Sequence, residues 1–517
     1  MQNITRRTDS WPRARFCRQL VIILAVTVCS AISAADSASA AKLWAGAAKV
    51  DITNRDVGLV NDPLYVKALV IRSERITAVI VTVDAVAIEE IGSIKSDYLP
   101  TVRAAIKKDL RIEPANVMIN ASHCHGVVCA DVAERTIKAI KLAAAKLVPV
   151  TVGVGRGFED RVQENRRLKL KDGRTIDVRH AYSMPADEDV AEVGPIDTEI
   201  GLLKLNREDG RTLAVVYNFA CHPIQGVPNK GNTADMTGFA SQVIEDNLSE
   251  GAIALFVQGC GGDINPVQYK DVENPRDAET LGNLLGLSTL KGLRKTKTTG
   301  NAALKVVNHR MELPRADHTQ RIADMEAEQR RLLASLGGTS LNLKTFIPLV
   351  VKYNVSSEFP SYYSHRYLLE KKLGRDGLSK LDVENRANMK RYIKNILTME
   401  QLTRLGTNMR LLRKHQASLV ASGKRTISVE VLGIRIGDFV LVTFPGELTV
   451  PIGLNIKKKS PHPNTFVAGY TNGYIYYSPT ADQLRNRGNA QEDSDCLLAP
   501  EWQKQFEDKV AEVLKQL

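Results

Sequence analysis

The chain has 517 residues, 44% hydrophobic and 25% charged, fractions that exclude a disordered, collagenous or rod-like protein. Lys and Arg outnumber Asp and Glu by 70 to 58. Five arginines against one aspartate in the first 34 residues carry part of that excess. The remaining charge of about +8 is too diffuse for the basic stripe of a nucleic-acid binder.

An arginine-rich opening, an apolar run at 20–28 and small residues from Cys29 to Ala41 have the three parts of a secretory signal. Ala38-Ser39-Ala40 fits a small-x-small cleavage site, with Ala34 and Ala35 as alternatives. Residues 1–40 are therefore expected to be removed on export to the periplasm or the medium. About ten strongly apolar residues are too few to cross ~30 Å of hydrocarbon, and Val28 is too large to precede a lipidated Cys29. Export leaves Cys124, Cys129, Cys221, Cys260 and Cys496, an odd number, so at least one is unpaired unless chains cross-link.

Residues 69–84 read as two strands around a charged turn, 99–110 as a helix and 117–121 as a short apolar strand. Residues 213–220 and 252–258 read as buried strands, each running into a loop rich in Gly, Pro or His. Strands alternating with helices predict an α/β fold. Residues 317–336 have helical spacing closed by Gly337-Gly338, and the basic stretch that follows is also helical. Residues 315–424 are thus expected to form a helical insertion covering the core. The strand pattern returns at 426–444 as a hairpin with Gly437-Asp438 at its turn, and an amphipathic helix fills 501–517.

Three strand ends carry groups that can bind metal. Ser122-His123-Cys124-His125-Gly126 follows the strand at 117–121, and on extended backbone His123 and His125 share a face while Cys124 points away. Asn218-Phe219-Ala220-Cys221-His222-Pro223 ends a second strand, and Phe444-Pro445-Gly446-Glu447 follows the hairpin. Two imidazoles and a carboxylate meeting at one sheet edge would make a zinc site with an open position; separately, each reads as an ordinary loop residue. The glycine-rich turn Gln258-Gly259-Cys260-Gly261-Gly262-Asp263-Ile264-Asn265-Pro266 could bring backbone N–H groups to a substrate. It lacks the Gly-Lys-Ser/Thr of a phosphate loop, and no Gly-x-Ser-x-Gly elbow of a serine hydrolase occurs anywhere.

Together these segments resemble the catalytic domain of the neutral, or non-lysosomal, ceramidase family. The resemblance runs from residues 45–53 through the His123 motif, Asn165-Arg166, residues 197–201, the His222 motif, Gly262-Asp263-Ile264-Asn265-Pro266 and Pro445-Gly446-Glu447 to the tyrosine-rich segment at 470–477. It implies one large α/β zinc-hydrolase domain over residues 41–517, interrupted by the helical insertion. With about 40 residues after Tyr477, the chain is expected to lack the C-terminal immunoglobulin-like domain of longer members. Carried over residue by residue, the resemblance implies one zinc per chain held by His123, His222, Glu447 and Tyr477. Tyr474, Tyr476 and Tyr477 all offer a phenol, and Tyr477 keeps the family's Tyr-x-x-Tyr spacing best.

The implied reaction is hydrolysis of the N-acyl amide of ceramide or a ceramide-like lipid. His125 would act as proton shuttle, and Arg166 and Asn265 would stabilise the oxyanion or orient the polar head. A lipid-like substrate implies transient contact with a membrane surface, with neither nucleic acid nor an obligate protein partner. Departures from the family's pattern matter. The family's Gly-Asp-Val-Ser-Pro-Asn reads Gly-Asp-Ile-Asn-Pro-Val here, so Asn265 replaces a serine; Cys124 replaces the threonine between the histidines, and Pro223 follows His222. An amide can donate a hydrogen bond but cannot become an acyl-enzyme nucleophile, so a zinc-water route survives the change and an acyl-serine route does not. A zinc hydrolase of another amide or ester, and a metal-stabilised lipid- or glycan-binding protein, are the alternative readings.

Overall fold

Val- and Ile-rich segments from Ala41 onward hydrogen-bond into a mixed sheet in the computed structural model, which describes residues 41–178, 185–269, 271, 273–360, 364–486, 488 and 490–517. The expected export signal lies outside the described residues. The strands are β1 (Ala41–Asp51), β2 (Tyr65–Arg72), β3 (Thr77–Val83), β4 (Val117–Ala121), β5 (Val148–Phe158), β6 (Glu199–Arg207), β7 (Thr212–Phe219) and β8 (Ile253–Gln258). Their spatial order is β8-β7-β6-β5-β1-β2-β3-β4. A second sheet contains β9 (Leu304–Pro314), β10 (Thr426–Ile436), β11 (Phe439–Thr443) and β12 (Thr465–Ala468), in that order.

Period-two alternation of side chains sets the layers. Ala78 and Ile80 of β3 join Leu432, Ile434 and Leu441 of the second sheet in one apolar layer. Val79, Val81 and Val83 turn to the other face and cluster with α1 (Tyr98–Leu110) and α2 (Val132–Ala145). The β6–β8 half of that face is covered by α3 (Asp235–Asp246) and α4 (Ala278–Lys295). The terminal helix Trp502–Gln516 packs on β9 and β10. The order is helix, sheet, sheet, helix, in which the apolar faces of both sheets are covered.

β9 and β10 pair along their whole length, Leu304 opposite Ile436 and Pro314 opposite Thr426. Between Pro314 and Thr426, where a turn could stand, the chain runs out and back as α5 (Thr319–Ala334), α6 (Leu343–Val355), α7 (His365–Lys372) and the 46-residue α8 (Gly377–Ser422). Met325 and Leu332 of α5 pack against Leu402, Leu405, Met409 and Leu412 of α8. β10 turns into β11 at Gly437-Asp438, as the hairpin pattern predicts; Ile436 pairs with Phe439, and Gly437 has φ 61°.

The alternation of strand and helix is real, but it describes only part of the sheets. β3–β4 and β7–β8 are parallel pairs joined through α1 and α3. In the second sheet β11–β12 is joined through α9 (Val450–Lys459). The neighbouring pairs β1–β2, β2–β3, β1–β5, β5–β6, β6–β7, β9–β10 and β10–β11 are antiparallel. Short links suffice for most antiparallel neighbours, whereas each parallel pair needs a crossover long enough to hold a helix. These crossovers matter for function, because the chain leaves β4, β7, β8, β11 and β12 toward a common region. All five cysteines of the described region are free thiols. Among the described residues no helix is long and apolar enough to cross a membrane.

Candidate metal centre

Ligand atoms of His123, His222 and Glu447 lie within 4.8 Å of one another, and all three side chains are buried. His123 follows β4, His222 follows β7 and Glu447 follows β11, so the site forms beyond the carboxyl ends of strands in both sheets. Two buried asparagines clasp those ends together. Asn120 Nδ2 donates to Gly469 O and Thr471 Oγ1, and its Oδ1 accepts from Gln258 N. Asn218 Nδ2 donates to Val257 O and Val467 O.

The backbone is strained where the groups converge. His123 (φ 69°), Tyr470 (φ 51°) and Tyr476 (φ 63°) are left-handed, a conformation that costs bulky residues energy and clusters at functional sites. His123 is held there by its N–H to Ala85 O at 2.9 Å. Left-handed backbone at His123 means that strand alternation is not what brings the His-x-His pair together. The two rings nevertheless meet edge to face, centroids 5.6 Å apart, with His125 exposed and Cys124 buried.

Both ligand imidazoles have their tautomer set by a carbonyl, which can only accept. His123 Nδ1–H donates to Val86 O at 2.6 Å and His222 Nδ1–H to Ile264 O at 2.9 Å. Each ring therefore turns Nε2 to Glu447: His222 Nε2 is 3.0 Å from Oε2 and His123 Nε2 is 3.6 Å from Oε1. Two imidazole nitrogens and a carboxylate facing one another out of water suit a shared cation, and the mixed N/O donor set suits zinc. Burial works to raise the Glu447 pKa, but His123, His222 and the Tyr474 hydroxyl overcome it and hold the carboxyl well below its usual range. Tyr470 donates to Oε2 at 3.2 Å and Tyr474 to Oε1 at 2.5 Å. Burial, then the charge of Glu447, push both phenols well above their ordinary pKa, so they remain donors.

Arg166 is fully buried beside this cluster. Nη1 donates to Asn265 Oδ1 at 3.0 Å, Nη2 to Gly262 O and to Tyr477 OH at 3.3 Å, and Nε lies 2.6 Å from Glu492 Oε1. Its charge thus has a buried counter-ion that the sequence reading did not include. The Tyr477 ring stacks on His222 with centroids 6.3 Å apart. Tyr476 faces elsewhere, its hydroxyl bonded to Glu90 and Lys414. Of the three tyrosines weighed from sequence, Tyr474 and Tyr477 enter the site and Tyr476 does not; Tyr470, a fourth, belongs to it as well.

The glycine-rich turn has a different task from the one expected. The N–H groups of Gly259, Gly261, Gly262 and Ile264 are bonded to Phe219 O, Gly259 O, Leu448 O and Gly261 O. The glycines allow close packing: a Cβ on Gly262 would lie 2.4 Å from Glu447 O. Missed from sequence were Tyr470, Glu492, Asn120 and Asn218. Tyr470 carried a signal in its place in the tyrosine-rich segment, and Asn218 in opening the His222 motif.

A mixed α/β fold with a buried His-His-Glu cluster at its strand ends defines a candidate metalloprotein. The chain superposes on the crystal structure of neutral ceramidase from Pseudomonas aeruginosa with a TM-score of 0.56 at 17% identity, covering 92% of this chain and 75% of that one. It matches a ceramidase complexed with C2 at a TM-score of 0.58 and 16% identity, with the same coverage of 92% and 75%. No protein-family model and no curated protein sequence matches the chain. The resemblance read from scattered motifs is therefore a resemblance of fold over nearly the whole chain.

Proposed function

We propose that the protein is a zinc-dependent amidohydrolase that splits the N-acyl amide of ceramide or a ceramide-like lipid into an amine and a fatty acid. The observation that carries this reading is the buried convergence of His123, His222 and Glu447 in a fold shared with neutral ceramidases. One zinc per chain would be held by these three residues and by Tyr477, which lies against His222. Bound zinc supplies Lewis acidity to the substrate carbonyl and lowers the pKa of water toward about 7.

The chain's own residues supply the rest. His125, exposed beside His123, takes the proton released as the water oxygen bonds the carbonyl carbon. It returns that proton to the nitrogen as the C–N bond breaks. Arg166 offers only donors, so it holds Asn265 by Oδ1 and leaves the NH2 end of the amide as the group that can serve an oxyanion. With its guanidinium spent on Asn265, Gly262, Tyr477 and Glu492, Arg166 is a positioning residue for Asn265, the oxyanion donor, and for Tyr477, the fourth zinc ligand. The same reading makes residues 1–40 a cleaved export signal of a periplasmic or secreted protein, and residues 41–517 one catalytic domain with an insertion at 315–424.

Purified protein assayed with and without a chelator on N-acyl lipids and simple esters tests this reading. Metal-dependent release of fatty acid from ceramide supports it. Ester-only turnover would favour a hydrolase of another substrate, the reading that Asn265 in place of a serine invites. Stoichiometric zinc without turnover would favour a metal-stabilised binding protein. Asn265→Ala should lose about 10²- to 10³-fold in kcat, the usual weight of one oxyanion donor, and Asn265→Ser should retain activity. If wild type and Asn265→Ser are both inert on every N-acyl substrate yet bind zinc, the amidase reading falls.

A further inference from the structure

The helical excursion between β9 and β10 has a surface unlike the rest of the molecule. On α6, Leu343, Ile347, Val351 and Val355 recur every fourth residue and are 61%, 50%, 56% and 81% exposed. That spacing makes one apolar stripe along a helix. The opposite side of α6 is the one that packs: Phe346 meets Tyr392 of α8 with ring centroids 4.7 Å apart, and the Tyr353 hydroxyl donates to Asp382 at 2.7 Å. Tyr367 of α7 donates to the other oxygen of Asp382 at 2.6 Å, which fastens α7 to the same point of α8. Leu368 and Leu369 of α7, and Leu373 at its C-cap, are left exposed.

Charge is interleaved with this apolar surface. Residues 341–399 carry eleven Lys and Arg against five Asp and Glu, and one of the five, Asp382, is buried between the two tyrosines. Lys344 lies exposed beside the α6 stripe, and Lys371, Lys372 and Arg375 lie exposed among the α7 leucines. Protein interfaces concentrate their apolar residues in a core depleted of lysine. Aliphatic stripes flanked by lysine are instead the composition of helices that lie in the plane of an anionic lipid surface, apolar side chains among the acyl chains and ammonium groups at the phosphates.

We propose that α6 and α7 form a docking face for an anionic lipid bilayer, so that the excursion is a membrane-seating arm. The arm is seated by the burial of Leu343, Ile347, Val351 and Val355 and by the cations around them. Its role does not depend on the chemistry at His123, His222 and Glu447.

Co-sedimentation of the purified protein with vesicles tests the proposal. Wild type should bind vesicles of phosphatidylglycerol and phosphatidylethanolamine, bind vesicles of phosphatidylcholine alone far less, and lose affinity as salt is raised. Ile347→Asp combined with Val351→Asp, and separately Lys371→Glu combined with Lys372→Glu, should each weaken binding roughly 10-fold or more. All four positions are exposed, so thermal melting should match wild type, and turnover of a soluble short-chain substrate should be unchanged. Failure of wild type to bind anionic vesicles, or equal binding by both double variants, overturns the proposal. So does sedimentation showing self-association that the Ile347/Val351 variant abolishes, since the stripe would then be an interface between copies of this chain.

Discussion

His222→Ala and His123→Ala, which remove two of the proposed zinc ligands, are each expected to bind far less metal and to lower the proposed amide hydrolysis by about 10³-fold or more, the scale of removing Lewis-acid stabilisation worth several kcal/mol. His222 should be the more damaging of the two. Its Nδ1–H is held by Ile264 O, its Nε2 lies 3.0 Å from Glu447 Oε2, and its backbone N–H also reaches Ile264 O. Without an imidazole there, the Glu447 carboxylate stays buried and loses one of the groups that face it, keeping Tyr470, Tyr474 and His123. Metal content per chain separates ligand loss from misfolding, provided circular dichroism shows the variant folded. Full metal occupancy in both folded variants would remove His123 and His222 from the ligand set.

His125→Ala is expected to behave differently, keeping its metal while losing about 10²- to 10⁴-fold in kcat, the weight of general acid–base catalysis. The expectation rests on position. His125 is exposed, beside the ring of His123, whereas the convergent ligand atoms belong to His123, His222 and Glu447. A proton shuttle should also leave a mark in the pH profile. The limb of kcat/KM that reports the imidazole should vanish in His125→Ala, and added imidazole should restore part of the rate. Loss of metal from this variant would instead make His125 a ligand and require the roles of the two histidines to be exchanged.

Local chemistry was legible in the sequence. Strand-forming runs at 69–84, 117–121, 213–220 and 252–258 became β2 to β4, β7 and β8, because a strand buried on both faces is written as a short, nearly continuous apolar run bounded by turn residues. The Gly437-Asp438 turn was legible because a two-residue hairpin needs a left-handed residue at that point. The motif residues His123, His222 and Glu447 could be picked out because each ends a strand, where loop backbone frees side chains for chemistry.

Only the tertiary structure decided what those residues do together. His222 and Glu447 are 225 positions apart, and no local pattern encodes the packing of one sheet on another that sets their nitrogen and oxygen 3.0 Å apart. The predominance of antiparallel pairing was equally invisible, since pairing partners depend on which strand ends meet rather than on the strands' own residues. The family resemblance puts Arg166 at the oxyanion or polar head; only the structure shows it fully buried with Glu492, more than 300 residues on, as its counter-ion. Choosing among Tyr470, Tyr474, Tyr476 and Tyr477 required the left-handed turns at Tyr470 and Tyr476, which aim neighbouring phenols to different sides of one loop. By itself the sequence determined the elements and the donor groups. The order of strands in two packed sheets determined which donors share a point in space, because a metal cluster is a property of distances between segments and periodicity reports only distances within one.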